Sequence, residues 1–150
     1  MNIVAIIPAR SGSKSIKDKN IISYKGKPLI YHSIKTALNS KYINRVIVST
    51  DSNKYKKLSM KFGAEVPFLR PKKYSSDSSI DYDYILHASK FLIKNKYYPD
   101  IIILLRPSTP NRTTQIVDKG IKFFIRNLKK YDSMRSVSEF SQPPQKLFMI

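Results

Sequence analysis

Three short apolar runs, separated by stretches with helical spacing of apolar residues, set the first expectation for this chain. Ile3-Val4-Ala5-Ile6-Ile7, Arg45-Val46-Ile47-Val48-Ser49-Thr50 and Asp100-Ile101-Ile102-Ile103-Leu104-Leu105 are continuous and largely β-branched, as parallel strands covered on both faces require. After Pro28, which suits a first helical turn because it lacks the N–H that would go unbonded there, Leu29, Ile30, Ser33, Ile34, Ala37 and Leu38 predict a helix over 28–39. Thr50-Asp51-Ser52 offers a cap for a helix reaching about Phe62, with Asp51 read as an N-cap. Ile80, Tyr84, Ile85, Ala88, Phe91 and Leu92 mark one face of a helix ending near Lys96. A further helix begins at Thr113 or Thr114, with Ile116, Val117, Gly120, Ile121, Phe124 and Ile125 inward. The prolines of 63–71 predict irregular chain or a short edge strand, and 133–140 is a candidate fourth strand. Strand–helix alternation predicts one α/β domain over residues 1–150, a three-layer, doubly wound, mainly parallel sheet of Rossmann-like type. The closing stretch 142–150 ends on an apolar run without a polar tail, which predicts a C-terminally truncated chain.

In open parallel sheets ligands sit beyond the carboxyl ends of the strands. That edge would carry the loops 8–20, 50–52 and 106–112, and would bring Arg10, Lys19, Asp51, Arg106 and Arg112 near one another. The first loop, Pro8 to Asn20, holds Arg10, Lys14, Lys17 and Lys19 among Ser11, Gly12, Ser13 and Ser15. Backbone N–H groups left unpaired at such a strand end, ringed by cations, form an anion site. Gly12-Ser13-Lys14-Ser15 is not a P-loop, which needs Gly directly before Lys and another Gly five residues earlier; Ser13 and Ile7 stand there. The dinucleotide fingerprint G-x-G-x-x-G is absent too. What remains is a loop able to hold a triphosphate through N–H groups near Ser11, Gly12 and Ser13 and through Arg10, Lys14 and Lys19, with Asp18 as its one acid and no base-activated nucleophile of its own. Nucleotidyl transfer, in which the acceptor supplies the nucleophile, fits that inventory.

Composition adds a net charge of +18 and an anionic partner as the default. The 28 Lys+Arg divide into 21 lysines and 7 arginines. The lysines are scattered over predicted helix faces, so the functional weight falls on the arginines, Lys14 and Lys19. A nucleic-acid-binding module would gather its cations on one face between aromatic platforms; here they collect at strand ends beside Gly and Ser, and no nucleic acid is expected. There are no cysteines, hence no disulfide, thiolate metal site or cysteine nucleophile. No apolar stretch approaches a membrane span, and a soluble, cytoplasmic protein is expected.

Taken in order, Ile6-Ile7-Pro8-Ala9-Arg10-Ser11-Gly12-Ser13-Lys14, Lys19-Asn20-Ile21, Gly26-Lys27-Pro28-Leu29-Ile30, Val48-Ser49-Thr50-Asp51-Ser52, the stretch 63–71 and Arg106-Pro107-Ser108-Thr109-Pro110-Asn111-Arg112 resemble the successive motifs of the acylneuraminate cytidylyltransferases, the CMP-sialic acid synthetases. The resemblance implies a nucleotide-diphospho-sugar transferase fold, CTP as co-substrate, Mg²⁺ as cofactor, and transfer of CMP to the anomeric hydroxyl of a nine-carbon nonulosonic acid with release of pyrophosphate, as in lipopolysaccharide or capsule biosynthesis. It implies that Arg10 and Lys19 hold the triphosphate, with Ser11, Gly12, Ser13 and Lys14 beside them. Asn20 and Arg70 would line the nucleotide, and Ser78 or Ser79 would lie near the base. The loop with Arg106, Ser108, Thr109 and Arg112 would approach the acid sugar, where a guanidinium can grip a carboxylate with two parallel hydrogen bonds. The paired metal-binding aspartates of the family, and most of its dimerisation segment, would fall beyond residue 150, so no metal ligand is assigned here and a homodimer is expected of a longer parent. Ser15 and Ile16-Lys17 depart from the family pattern in a way that bears on the geometry of the first loop, and Arg106 and Asn111 in a way that leaves the acceptor open, another acidic sugar such as an eight-carbon keto acid being the alternative; the early stop makes a basic nucleotide- or nucleic-acid-binding pseudoenzyme a further one.

Other polar residues read as structural. His32 and His87 have no partner at ligand spacing, Asp77 reads as a cap, and Asp81 and Asp83 as a solvated helix start. Tyr97-Tyr98 and Phe123-Phe124 read as core and rim.

Overall fold

The computed structural model describes residues 1–13, 16–76 and 78–137. Met1–Asp118 form one compact unit and Lys119–Ile150 a second. The sheet belongs to the first, and the last helix runs across the boundary.

The chain order is β1 (Ile3–Pro8), a short antiparallel hairpin of β2 (Ser23–Tyr24) and β3 (Lys27–Pro28), α1 (Leu29–Leu38), β4 (Arg45–Ser49), α2 (Asn53–Lys61), α3 (Asp81–Lys94), β5 (Ile101–Leu104) and α4 (Thr114–Arg126). The three apolar runs become one parallel sheet in the order β4-β1-β5, with Ile6 opposite both Ile47 and Leu104. β1 is central because it is apolar on both faces, and Ile3 through Ile7 are at most 2% exposed. Val4, Ile6 and Ile47 pack with Tyr84, Ala88 and Leu92 of α3. Strand alternation turns Ile3, Ala5 and Ile7 the other way, and α1, whose Ile30, Ile34 and Ala37 are fully buried, contacts β1 and β4. Each fully buried Ile, Val or Leu side chain among these contributes about 1.5–3 kcal/mol relative to exposure. The stretch after Gly63 runs beside β4 for a single bridge, Ile47 to Glu65, and the Arg45 guanidinium grips the Glu65 carboxylate there with two donors.

Several local expectations change. Pro28 closes the hairpin with ψ 142° and stands just before α1, outside it. The hairpin turns on Lys25 and Gly26, both at positive φ, the combination that two-residue hairpin loops favour. Ser52, and not Asp51, caps α2, its hydroxyl accepting the Tyr55 N–H at 3.4 Å. Ile80 is 62% exposed and precedes α3, where Asp83 takes up its N–H at 3.1 Å. On α4, Val117 and Ile121 are buried but Ile116 is 62% exposed, so the inward face is narrower than the apolar count implies. Residues 133–137 form no strand; the rest of the candidate fourth strand and the stretch 142–150 lie outside the described residues.

Candidate functional site

A cleft of about 440 Å³ opens at the carboxyl end of the sheet. Its walls come from the loop after β1, the 3₁₀ turn Lys19–Ile21, the segment from Arg70 into α3, and the loop after β5. Arg10, Ser13, Lys19 and Asn20 line one side, Arg70 and Ser79 another, and Arg106 and Ser108 a third. The sheet thus brings together most of the residues singled out in the sequence, for the reason that applies to all open parallel sheets.

The loop after β1 is held from several directions. Asp51, directly after β4, accepts the Ser11 N–H at 2.8 Å and the Ser11 hydroxyl at 3.2 Å. The Asn20 amide donates to the Arg10 carbonyl at 3.0 Å, and Arg10 Nη1 donates to the Ser76 carbonyl at 2.6 Å. Asp18, left-handed at φ 53°, takes the Tyr55 hydroxyl at 2.9 Å and the Lys54 ammonium at 3.0 Å; hydrogen bonds from Lys54 and then Tyr55 lower its pKa. The N–H groups of Ser11 and Ser13 are both engaged, the latter to the Ser11 carbonyl at 3.1 Å, so Ser11 fixes the loop and does not line the cleft. Gly12 has open space: a Cβ there would meet no atom within 4 Å, and its φ is not positive. Gly12→Ala is therefore expected to hold stability or raise it by up to about 1 kcal/mol, while a several-fold loss of CTP affinity in calorimetry would show that a ligand approaches this backbone.

Arg70 is the most buried cation of the site, 5% exposed. Its Nε donates to Ser49 Oγ at 3.0 Å and its Nη2 to the Ser49 carbonyl, and its guanidinium lies 4.7 Å from the centre of the Tyr84 ring. Burial pushes it down to about 10, with Arg10 acting in the same direction and Tyr84 and Asp51 opposing. It stays charged at neutral pH, and among the described residues no carboxylate contacts it, a state that an incoming anion relieves. Burial, against Arg70's opposing charge, raises Tyr84 to about 12, so its phenol stays protonated.

Four residues that the sequence did not mark for the site also line the cleft: Tyr74, Ser76, Asp81 and Tyr84. Asp81 is more than a solvated helix start, since Arg106 Nη2 pairs with it and the Tyr84 hydroxyl donates to it at 2.5 Å. The serine cluster of 74–79 was the one signal for Ser76, whose hydroxyl lies 3.0 Å from that of Ser78 and 2.9 Å from that of Ser79. Ser79 reaches the cleft wall and Ser78 does not. Two further placements correct the expectation of a single cluster. Thr109 is outside the cleft, and Arg112 lines a separate depression with Lys35 and His32. Lys14 and Asp77 lie outside the described residues.

Asp81 is the one carboxylate among the described residues that line the cleft, and it already serves Arg106 and Tyr84. A hard divalent ion takes six or more oxygens, and no group of three or more acids and histidines assembles among the described residues. The described residues do not by themselves form a Mg²⁺ site.

Behind the cleft, His87 packs edge-on against Phe68 with ring centres 4.6 Å apart, and its buried Nδ1 has no hydrogen-bond partner among the described residues. Burial, then Arg70 and Lys73, lower its pKa below the ordinary 6.5. The folded state therefore disfavours its protonation. Its contribution to stability is complete above pH 6.5 and is lost as the pH falls from there through the folded value. Comparing thermal unfolding of the parent and His87→Phe between about pH 8 and 5 should show a steeper acid decline for the parent; parallel curves would exclude the effect.

No helix among the described residues is long and apolar enough to cross a membrane. The profile of the cytidylyltransferase family matches residues 4–98. The chain is 35% identical over 150 residues to the pseudaminic acid cytidylyltransferase of Campylobacter jejuni serotype O:2, all of this chain against 64% of that one. It is 34% identical over 143 residues to the N-acylneuraminate cytidylyltransferase of Escherichia coli O18:K1:H7, 95% of this chain against 33% of that one. The chain therefore spans less than two thirds of the length of these curated relatives. In fold it resembles a solved CMP:2-keto-3-deoxy-manno-octonic acid synthetase complexed with CTP, with a TM-score of 0.70 and 24% identity over 85% of this chain and 49% of that one. From the match over 4–98 and the parallel sheet that carries the cleft, the chain belongs to the cytidylyltransferase family.

Proposed function

We propose that the cleft binds CTP, and that within a longer parent it transfers CMP to the anomeric hydroxyl of a nonulosonic acid. The observation that carries this reading is the convergence of Arg10, Lys19, Arg70 and Arg106 on one cleft at the carboxyl edge of the sheet. Arg10 and Lys19 hold the β- and γ-phosphates, Arg70 supports them from below, and Ser13, Asn20 and Ser79 orient the nucleotide. Fixing the triphosphate in this way lines up its α-phosphorus for in-line attack. The sugar hydroxyl oxygen forms the new P–O bond, the bond from the α-phosphorus to the bridging oxygen breaks, pyrophosphate leaves with the electron pair, and the hydroxyl proton passes to solvent. Cations already in place stabilise the charge that develops on the leaving group. Arg106 and Ser108 stand where the acid sugar approaches, and a carboxylate there would take over the guanidinium that Asp81 now holds. Mg²⁺ is a requirement of the parent, held by residues outside those described, as is homodimerisation; the reaction belongs in the cytoplasm, where CTP is made.

A version extended to the length of the relatives should release pyrophosphate from CTP and Mg²⁺ when offered one of a panel of nonulosonic acids. Folded protein that releases none with any acceptor would contradict the reading. Asp81→Asn removes a negative charge from the cleft wall and frees Arg106. The pair is half exposed, 49% and 43% for the two side chains, so the change should cost less than about 1 kcal/mol in stability. CTP binding should tighten several-fold in calorimetry; weaker binding would show that the Arg106–Asp81 pair shapes the site.

A further inference from the structure

We propose that a second cleft, between α1, the β2–β3 hairpin and the loop after β5, binds the phosphate group of a small molecule independently of the nucleotide cleft. It is an open depression with room of about 330 Å³, enough for a phosphate or pyrophosphate and the atoms attached to it. Lys25, Lys35 and Arg112 line it together with His32 and Asn39, and among the described residues no Asp or Glu does. Cations are common on this chain; a lined cleft without a single acid, three charges deep, is a narrower observation.

The walls are built. Thr36 Oγ1 donates to the Arg112 carbonyl at 3.0 Å and Thr114 Oγ1 to the Thr36 carbonyl at 3.3 Å, so α1 and the loop after β5 are stitched on both sides of Arg112. The Tyr24 hydroxyl donates to Asn111 Oδ1 at 2.7 Å, and Lys25 reaches the same oxygen at 3.4 Å. The Tyr24 carbonyl can only accept, so His32 Nε2, 2.9 Å away, carries the proton and points it to the backbone. Among the described residues neither the Arg112 guanidinium nor the Lys35 ammonium has a hydrogen-bond or ion-pair partner. Arg112 is also partly withdrawn from water, and burial lowers its pKa. A partly desolvated guanidinium with no acid nearby is unfavourable unless an anion completes it, and its planar fork suits two oxygens of one phosphorus. A carboxylate would offset one of the three charges, whereas phosphate offsets about two. That difference selects phosphate over a simple acid.

The two histidines of the chain provide separate reporters. His32 lines this cleft, and His87 packs against Tyr74, which lines the nucleotide cleft. Proton NMR of the chain titrated with inorganic pyrophosphate should move the His32 ring signals saturably, and Arg10→Ala should leave that response in place. Lys35→Gln with Arg112→Gln should remove the His32 response while CTP still moves His87. Lys35 is an exposed residue of α1, so Lys35→Gln alone retains the fold and should weaken the His32 response about tenfold, as loss of one charged partner implies. A silent His32 in the parent, an unchanged His32 response in Lys35→Gln, or an equal response to acetate at matched ionic strength would each overturn the proposal.

Discussion

Arg70→Met is expected to lower CTP affinity at least about thirtyfold, the loss of a charged hydrogen bond being about 2 kcal/mol, while leaving the folded state intact. Two opposing terms decide the second half of that expectation. Methionine of similar length fills the space against Tyr84, and removal of a buried cation with no contacting carboxylate is often neutral or stabilising. The loss falls on one group: the Ser49 carbonyl still accepts the Ala9 N–H at 2.9 Å, and the buried Ser49 hydroxyl left without Arg70 costs about 1–3 kcal/mol, which release of the buried cation offsets. A residue whose worth lay in the fold would show the reverse pattern, with unfolding at lower temperature and CTP affinity unchanged among the molecules that fold. Thermal unfolding and calorimetric titration of the same preparation separate the two.

Asp51→Ala is expected to cost about 1.5–3 kcal/mol of stability, because its carboxylate takes both the N–H and the hydroxyl of Ser11. Its effect on CTP is a contest. Deleting a negative charge near Arg70 strengthens attraction for phosphate by roughly 1 kcal/mol or less at a partly solvated site. Releasing the loop means that binding must order it again, at about 1–2 kcal/mol for each backbone residue. Two or three residues suffice for the loop term to win, and affinity should fall about tenfold. Ser52→Ala provides the contrast. It removes the cap of α2 at a cost of about 1 kcal/mol and should leave CTP affinity unchanged. If Ser52→Ala weakened CTP as much as Asp51→Ala, the loop anchor would carry no special role.

The strands and helices were legible because burial on both faces and helical spacing write themselves into composition; β1, β4 and β5 fall within a residue of the apolar runs at either end. The site was legible where topology decides it, since the loops after β1 and β5 must meet at one edge. Side-chain commitments were not. Asp51 follows a strand and precedes a helix, a position that looks like a cap whether its carboxylate turns toward α2 or toward Ser11. Asp81 stands at a helix start, where an acid needs no other reason to be, and its pairing with Arg106 depends on a loop 25 residues away. Arg112 sits six residues after Arg106, yet the turn at 107–113 carries it to the far side of α1's neighbouring wall, next to Thr36 and Lys35. The hairpin turning on Lys25 and Gly26 was not legible, because the strands beside it are only two residues long.

Whether placed residues, rather than net charge, make this chain a nucleotide binder is tested most directly by calorimetric titration with CTP at near-physiological salt, where scattered surface charge is largely screened. The parent, Arg10→Ala and Lys61→Ala are compared. Lys61 is an exposed cation in the last turn of α2, away from the cleft. Placed residues predict saturable binding by the parent, the same affinity for Lys61→Ala, and at least about tenfold weaker binding for Arg10→Ala. Equal losses in the two variants, or no binding by the folded parent, would contradict them.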